Sequence, residues 1–154
     1  MDMHTERQSF ALWVHVVILA CVAPGIAAGV AAPDPGAKWA ILIPVSLVLL
    51  IYGMFTPMTV RVDSERLRVD FGVFGWPKWD FPIGEIQSAE AIEFSPLRDF
   101  GGWGIKGGKL GMCLNQRGDR GVKIAHAGRS YIIGSDDPDA LAQALHTVGV
   151  SRGS

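Results

Sequence analysis

The chain contains 154 residues, of which 49% are hydrophobic and 19% charged, and its formal net charge is −1 at pH 7. This balance excludes a strongly basic nucleic-acid-binding protein, and no recurring aromatic and basic platform suggests such a surface. Two cysteines and four widely spaced histidines provide neither a disulfide framework nor the ligand spacing of a metal site. The sequence therefore predicts no metal, no cofactor and no nucleic-acid partner.

Two long apolar runs, Phe10–Ala32 and Trp39–Val60, dominate the first sixty residues. Between residues 10 and 60 only Asp34 and Lys38 carry a charge, and both lie in the short link between the runs. As helices the runs would measure about 33–35 Å, enough to cross a hydrocarbon core of roughly 30 Å. The sequence therefore predicts a two-helix transmembrane hairpin (spans 10–32 and 39–60) within an N-terminal region of residues 1–60.

The charges beside the spans predict which side of the membrane the rest of the chain occupies. Arg7 precedes the first span and Lys38 alone lies in the link, whereas several basic residues follow the second span: Arg61, Arg66 and Arg68. By the positive-inside rule both termini lie in the cytoplasm, which predicts an integral protein of the inner (plasma) membrane. A cleaved signal peptide is the alternative for the first run, although that run is long and its leader is poorly basic.

Small and polar residues within the spans suggest two further features. Gly25 and Gly29 form a GxxxG pattern, which permits close helix contact within one hairpin or between copies in a homo-oligomer. We favour packing within the hairpin. His15 lies inside the first run near its start, where we predict a neutral, hydrogen-bonded histidine rather than a proton relay.

From residue 58 onward the apolar period changes to two, which is typical of half-buried strands. Val60 and Val62 alternate with charged residues, as do Leu67, Val69 and Phe71. Further strand-like segments are Trp76–Phe81, Ile86–Phe94 (which also permits helix), Lys109–Asn115, Gly121–His126 and Ser130–Gly134. A final helix is predicted from an N-cap at Asp137, with Pro138 in the first turn and a stop at Gly149.

This order of strands followed by one helix, together with Trp103-Gly104-Ile105 and Tyr131-Ile132-Ile133-Gly134, resembles the bacterial pleckstrin-homology-like (PH-like) domains. Such domains often accompany short transmembrane hairpins. The resemblance covers roughly residues 58–148 and implies an α+β fold: a small antiparallel PH-like β-barrel or sandwich capped by a C-terminal helix. The expected organisation is a cytoplasmic PH-like domain at residues 61–149 and a tail at 150–154. The resemblance implies binding or assembly rather than a particular activity.

The glycine-rich segment around Trp103 also matches a dinucleotide-binding GxGxxG pattern, in residues 102–107. That pattern requires a preceding strand and a following helix, and no helical period follows here. We therefore predict a structural role for Trp103, Gly104 and Ile105, in which the side chains fill apolar space. Contact with a partner or with lipid is the alternative.

Charge distribution provides the main functional indication. Residues 95–134 contain seven basic and two acidic residues, whereas residues 61–94 contain four basic and seven acidic ones. Basic groups near an anionic leaflet contribute about 1 kcal/mol each. The candidate contact surface for anionic headgroups or an acidic partner comprises Arg98, Lys106, Lys109, Arg117, Arg120 and Lys123, and ordinary solvated strand faces are the alternative.

The sequence favours a membrane-anchored binding or scaffold module whose partners are membrane lipids and an unidentified protein. No nucleophile or base pattern indicates catalysis, so we predict that the chain is not an enzyme. Two alternatives remain: an enzyme with an unrecognised pocket, and a small channel or carrier formed by oligomerised hairpins.

Overall fold

The computed structural model describes residues 3–153. It contains four helices, α1 Leu12–Ala31, α2 Pro35–Phe55, α3 Pro96–Phe100 and α4 Pro138–Thr147, besides one short 3-10 turn at Ile83–Glu85. Its nine strands are β1 His4–Gln8, β2 Met58–Val62, β3 Arg66–Phe71, β4 Lys78–Pro82, β5 Ile86–Glu93, β6 Gly104–Gly108, β7 Gly111–Asn115, β8 Arg120–His126 and β9 Arg129–Gly134. The described chain is thus a mixed α+β structure, as the sequence predicts.

Helices α1 and α2 form an antiparallel hairpin, and each is long and apolar enough to cross a membrane. Asp34 caps α2, because its carboxylate accepts a hydrogen bond from the Ala37 amide at 2.7 Å. Gly29 packs against Leu42 so closely that an added Cβ would lie 2.6 Å from a Leu42 methyl carbon. The glycine face therefore packs within the hairpin, the interpretation we favoured for the GxxxG pattern.

The second helix begins and ends earlier than the predicted span of residues 39–60. It starts at Pro35, directly after the Asp34 cap, and ends at Phe55. Thr56 is extended, with φ −128° and ψ 131°, because a residue that precedes proline is disfavoured in the helical region. Strand β2 follows two residues later, so no flexible linker separates the helix from the sheet.

The first sheet has the strand order β1-β2-β3-β4, and all its pairs are antiparallel. The sequence predicts no strand before the first apolar run, yet β1 pairs with β2 over five positions, from His4 opposite Val62 to Gln8 opposite Met58. The helical hairpin is therefore an insertion between two neighbouring strands of one sheet. Removal of the first apolar run as a signal peptide would also remove β1.

The second sheet has the order β5-β8-β9-β7-β6. Its pairs are antiparallel except for β7 and β9, which run parallel, so the predicted antiparallel arrangement holds for the other three pairs of this sheet. The segment Ile86–Glu93, for which the sequence also permitted helix, is strand β5. The two sheets form no closed barrel within residues 3–153.

One hydrophobic core lies between the two sheets and α4. Val69 and Phe71 from the first sheet, Ile133 from the second, and Leu141 and Leu145 from α4 are all fully buried in it. The capping prediction for α4 is confirmed, since the Asp137 carboxylate accepts from the Ala140 amide at 3.0 Å. The expected tail is partly ordered against β5: the Ala89 amide donates to the Ser151 carbonyl at 2.9 Å.

Candidate functional site

The carboxyl end of α2 is held by loops from both sheets. The last carbonyls of a helix have no partner within it and must be satisfied from outside. The Val73 amide, after β3, donates to the Gly53 carbonyl at 3.0 Å, and the Gln116 side-chain amide, after β7, donates to the Phe55 carbonyl. The hairpin and the sheets are consequently connected by hydrogen bonds as well as by the chain.

Gln116 is a buried polar residue that the sequence did not single out, because it lies in a segment that reads as a turn. Its side chain is only 1% exposed, and its Oε1 atom has no hydrogen-bond partner among the described residues. Nothing in local periodicity distinguishes it from Arg117, the exposed residue that follows it. Its contact with Phe55 spans 61 positions and depends on the tertiary fold.

Beside this junction lies a groove of about 520 Å³, which we call the Trp103 groove. One wall is formed by the base of the hairpin, meaning the end that contains Phe10 and Phe55, and the other by β6 and the residue before it. Its lining is mostly apolar and consists of Phe10, Val14, Ile18, Val48, Ile51, Tyr52, Phe55, Trp103, Gly104, Ile105, Lys106 and Gln116. The groove thus joins an apolar helical wall to one cationic and one amide side chain.

Trp103 is fixed at the centre of this region. Its indole Nε1 donates to the Gly118 carbonyl at 3.1 Å, while 37% of the residue remains exposed. The ring also lines a smaller neighbouring cavity of about 250 Å³, together with Trp13 and Arg117. The predicted core-packing role therefore describes Ile105, which packs against the main core, better than Trp103, which faces the hairpin.

The glycines around Trp103 serve the backbone of β6. Gly104 has φ +101°, a region that disfavours other residues, and a Cβ at Gly108 would lie 2.4 Å from the Asp99 carbonyl oxygen. Strand β6 pairs antiparallel with β7, which follows it after a short turn. This segment therefore lacks the strand-to-helix turn that a dinucleotide-binding loop requires.

Three of the six predicted basic residues contact acidic side chains or a carbonyl of the fold. Arg117 makes a bidentate pair with Asp136 at 3.1 and 2.5 Å, a contact that raises the pKa of Arg117. Arg120 donates to the Asp136 carbonyl at 3.3 Å, and Arg98 pairs with its neighbour Asp99. Of the other three, Lys106 lines the Trp103 groove, Lys109 lies in the β6–β7 turn, and Lys123 on β8 lies opposite Glu90 of β5.

A second basic group, unrecognised in the sequence, occupies the outer face of the first sheet. Arg7 and Arg61 line a cavity of about 370 Å³ together with Thr5, Pro57, Thr59, Asp70, Gly72, Val73 and Gly75. Arg61 donates to the Asp70 carboxylate at 3.0 Å, but burial raises the pKa of Asp70 above its ordinary value. Because Arg7 belongs to β1, its proximity to Arg61 depends on a strand that the sequence did not predict.

Between residues 3 and 153 no three His, Cys, Asp or Glu side chains are grouped to hold a metal ion. In the first apolar helix, His15 Nδ1 lies 3.2 Å from the Ala11 carbonyl, which agrees with the predicted hydrogen-bonded histidine.

No protein-family model matches the chain, and comparison with curated proteins gives no match.

Proposed function

We propose that the chain is an integral inner-membrane protein that binds anionic phospholipid at the cytoplasmic surface, using the Trp103 groove. Helices α1 and α2 are the two spans, and the sheets form a binding module that lies against the inner leaflet. Both termini are cytoplasmic. The observation that carries the proposal is the groove itself, because one of its walls is the base of the two apolar helices.

The position of β1 supports a common side for both ends of the hairpin. Strands β1 and β2 are hydrogen-bonded neighbours that flank the two helices, so the chain must leave the membrane on the side where it entered. The basic residues next to the helices, Arg7 and Arg61, favour the cytoplasmic side. A domain tied to the last turn of α2 would lie directly on the headgroups of that leaflet.

The chemistry of the lining matches a phospholipid. Aliphatic side chains from the helices would contact an acyl chain, while the Lys106 ammonium would pair with the phosphate. Gln116 borders the same groove, and its side-chain amide fixes the groove's helical wall by donating to the Phe55 carbonyl. The Trp103 indole suits the polar–apolar boundary.

The groove should select among lipids by their headgroups rather than by their acyl chains. An acyl chain gains little when it moves from the bilayer to an apolar protein wall, because both environments are hydrocarbon-like. A cation close to an anionic lipid contributes about 1 kcal/mol, which is roughly a fivefold preference. The proposal therefore predicts modest selection among headgroups rather than tight extraction of a lipid.

The proposal also assigns the sheets and α4 to the PH-like class and gives them a binding role rather than catalysis. The succession of strands closed by α4, with Trp103-Gly104-Ile105 at β6, supports this assignment. The channel alternative receives less support, since the polar side chains within the helices are few and His15 bonds to its own helix. A protein partner would add to this surface rather than replace the lipid.

The test uses the full chain in nanodiscs that contain zwitterionic lipid with increasing amounts of phosphatidylglycerol. Lipids retained after mild release would be counted by native mass spectrometry. Lys106→Gln should reduce retained phosphatidylglycerol about fivefold, whereas the matched control Lys109→Gln, outside the groove, should retain the wild-type amount. Equal retention of the two lipids by the wild type, or equal loss in both variants, would overturn the lipid proposal.

The orientation has its own test. A protease added outside intact spheroplasts should leave the sheet domain uncut, and it should cut the domain only after the membrane is opened. Cleavage in intact spheroplasts would place the domain on the other side. That result would refute the cytoplasmic assignment independently of lipid selectivity.

A further inference from the structure

The loop that joins β3 to β4, residues 72–77, exposes an unusual amount of apolar surface. Val73 is 67% exposed, Phe74 79% and Trp76 60%. Turns between strands usually carry glycine, proline and small polar residues, and here the glycines at 72 and 75 and the proline at 77 follow that pattern, whereas the other three residues are large and apolar. A contiguous exposed apolar patch indicates a binding surface rather than an ordinary turn.

The backbone of this loop is attached to the end of α2. The Val73 amide donates to the Gly53 carbonyl at 3.0 Å, and the Gly72 amide donates to the Pro57 carbonyl at 2.7 Å. Gly72 has φ +72°, and a Cβ there would lie 2.2 Å from the Met54 carbonyl oxygen, so only glycine permits this close approach. The loop is thus held level with the last turn of the second apolar helix.

From this position we infer that Val73, Phe74 and Trp76 insert into the cytoplasmic leaflet beside α2, as a second membrane contact that does not span the bilayer. The inference rests on the proposed insertion of the hairpin and concerns a different surface from the Trp103 groove. The occupant is the headgroup–acyl boundary of the same bilayer, because the hydrogen bond to Gly53 fixes the loop at the depth where the helix leaves the hydrocarbon.

The charges around the loop complement this placement. Arg7 and Arg61 line the cavity that also contains Gly72, Val73 and Gly75, and Lys78 begins the next strand. Membrane-surface segments commonly combine apolar side chains in the acyl boundary with cations at the phosphate level. The second basic group of the first sheet would thus lie at the height of the phosphates.

The loop and the Gln116 contact hold α2 from opposite sides. Gly53 and Phe55 are two residues apart, which corresponds to about 200° around a helix. Their carbonyls accept hydrogen bonds from Val73 of the first sheet and Gln116 of the second. With apolar contacts on both sides of the helix, the domain would have one fixed tilt on the membrane.

The experiment places an environment-sensitive fluorophore on Phe74→Cys in the full chain, in a Cys21→Ser background, within nanodiscs. The matched control is Ser64→Cys, an exposed residue in the β2–β3 turn at the other end of β3. Lipid carrying a nitroxide near the headgroup should quench most of the fluorescence at position 74 and little at position 64. Equal, weak quenching at both positions would overturn the inference.

A label on native Cys21, which lies exposed near the middle of α1, separates this result from the proposed function when it is read with lipid that carries the nitroxide near the end of the acyl chain. Quenching at position 21 without quenching at 74 would refute the loop contact and leave hairpin insertion intact. Absence of quenching at 21 would refute insertion and the loop contact with it. A third outcome is a blue-shifted emission at position 74 that the nitroxide does not quench and that changes with the number of copies per disc. It would show that a second copy of the chain covers the loop, and it would also overturn the inference.

Discussion

Ser135 donates a hydrogen bond to the Glu6 carboxylate at 2.5 Å, so the first strand is joined to the segment before the last helix across 129 positions. The Asp136 amide donates to the other Glu6 oxygen at 2.6 Å, and Asp136 in turn holds Arg117. Glu6 therefore connects β1 to the second sheet. Strand β1, at the edge of the first sheet, is therefore held by the Glu6 side chain as well as by its backbone pairing with β2.

Replacement of Glu6 should destabilise the domain. Glu6→Ala leaves the Ser135 hydroxyl and the Asp136 amide without their acceptor, at a cost of about 1–3 kcal/mol. Thermal unfolding of the full chain in detergent, followed by near-UV circular dichroism, should show a lower melting temperature. Glu65→Ala removes an exposed carboxylate from the same sheet and should have little effect. Similar losses in the two variants would contradict the anchoring role.

Gln116→Leu should weaken the junction between the hairpin and the sheets. The leucine fills a similar volume but cannot donate to the Phe55 carbonyl, and an unsatisfied buried carbonyl costs about 1–3 kcal/mol. The same melting experiment measures the loss. Gln143→Leu on the exposed side of α4 is the control and should stay close to the wild type; an unchanged melting temperature in Gln116→Leu would argue against the contact.

Packing within the hairpin predicts different results for two glycines of the helices. Gly29→Ala should destabilise the hairpin by about 1–3 kcal/mol, because the new methyl group overlaps Leu42. Gly53→Ala meets no atom within 4 Å and should be neutral or slightly stabilising, since alanine favours helix by about 1 kcal/mol. Resistance to unfolding by SDS would rank the variants, and the opposite order would contradict the observed packing.

The Cys113 thiol should be unreactive in the folded protein. Burial raises its pKa to about 12, so it stays protonated from neutral pH to about pH 10 and cannot act as a nucleophile. In a Cys21→Ser background, a water-soluble maleimide should label position 113 only after denaturation, as read by intact mass. Labelling that increases between pH 7 and pH 9, as for a free thiol, would contradict this environment.

Two aspartates of the first sheet should respond to pH in opposite directions. Burial raises the pKa of Asp70, so the folded state retains its proton longer than the unfolded state, and this carboxyl makes stability fall as pH rises through that range. The melting temperature of Asp70→Asn relative to the wild type should therefore increase from pH 3.5 to pH 6.5.

Asp63 provides the matched comparison. Backbone hydrogen bonds from Glu65 and Arg66 lower its pKa, so its contribution to stability is present above the unfolded pKa and is lost as pH falls. Asp63→Asn should therefore lose stability relative to the wild type as pH rises over the same interval. Parallel trends in the two variants would contradict the assigned environments.

Regular periodicity made much of this fold predictable. Val60 and Val62 alternate with polar residues, as do Leu67 and Val69. This alternation identified β2 and β3, because one face of each strand is buried. Asp137 and Pro138 identified the start of α4 by capping chemistry alone. The two apolar helices follow from length and composition, although their ends depend on proline and capping effects.

The elements that escaped prediction lack such a signal. Strand β1 places polar residues, Glu6 and Gln8, toward the interior, so its sequence shows no apolar alternation. The partners of the basic residues carry no sequence signal either: Arg117 and Arg120 both contact Asp136, which lies 19 and 16 positions away along the chain. Gln116 is recognisable only once the end of α2 is placed beside it.

The insertion of the helices between β1 and β2 imposes an order on biosynthesis. At roughly 5–20 residues per second, the ribosome needs about 3–10 s to make the fifty or so residues that separate Gln8 from its partner Met58. Strand β1 must therefore remain unpaired while both helices are made, and its contact with Ser135 forms only after that residue has also been made. Completion of the first sheet thus requires that the two helices have first folded back to bring β2 beside β1.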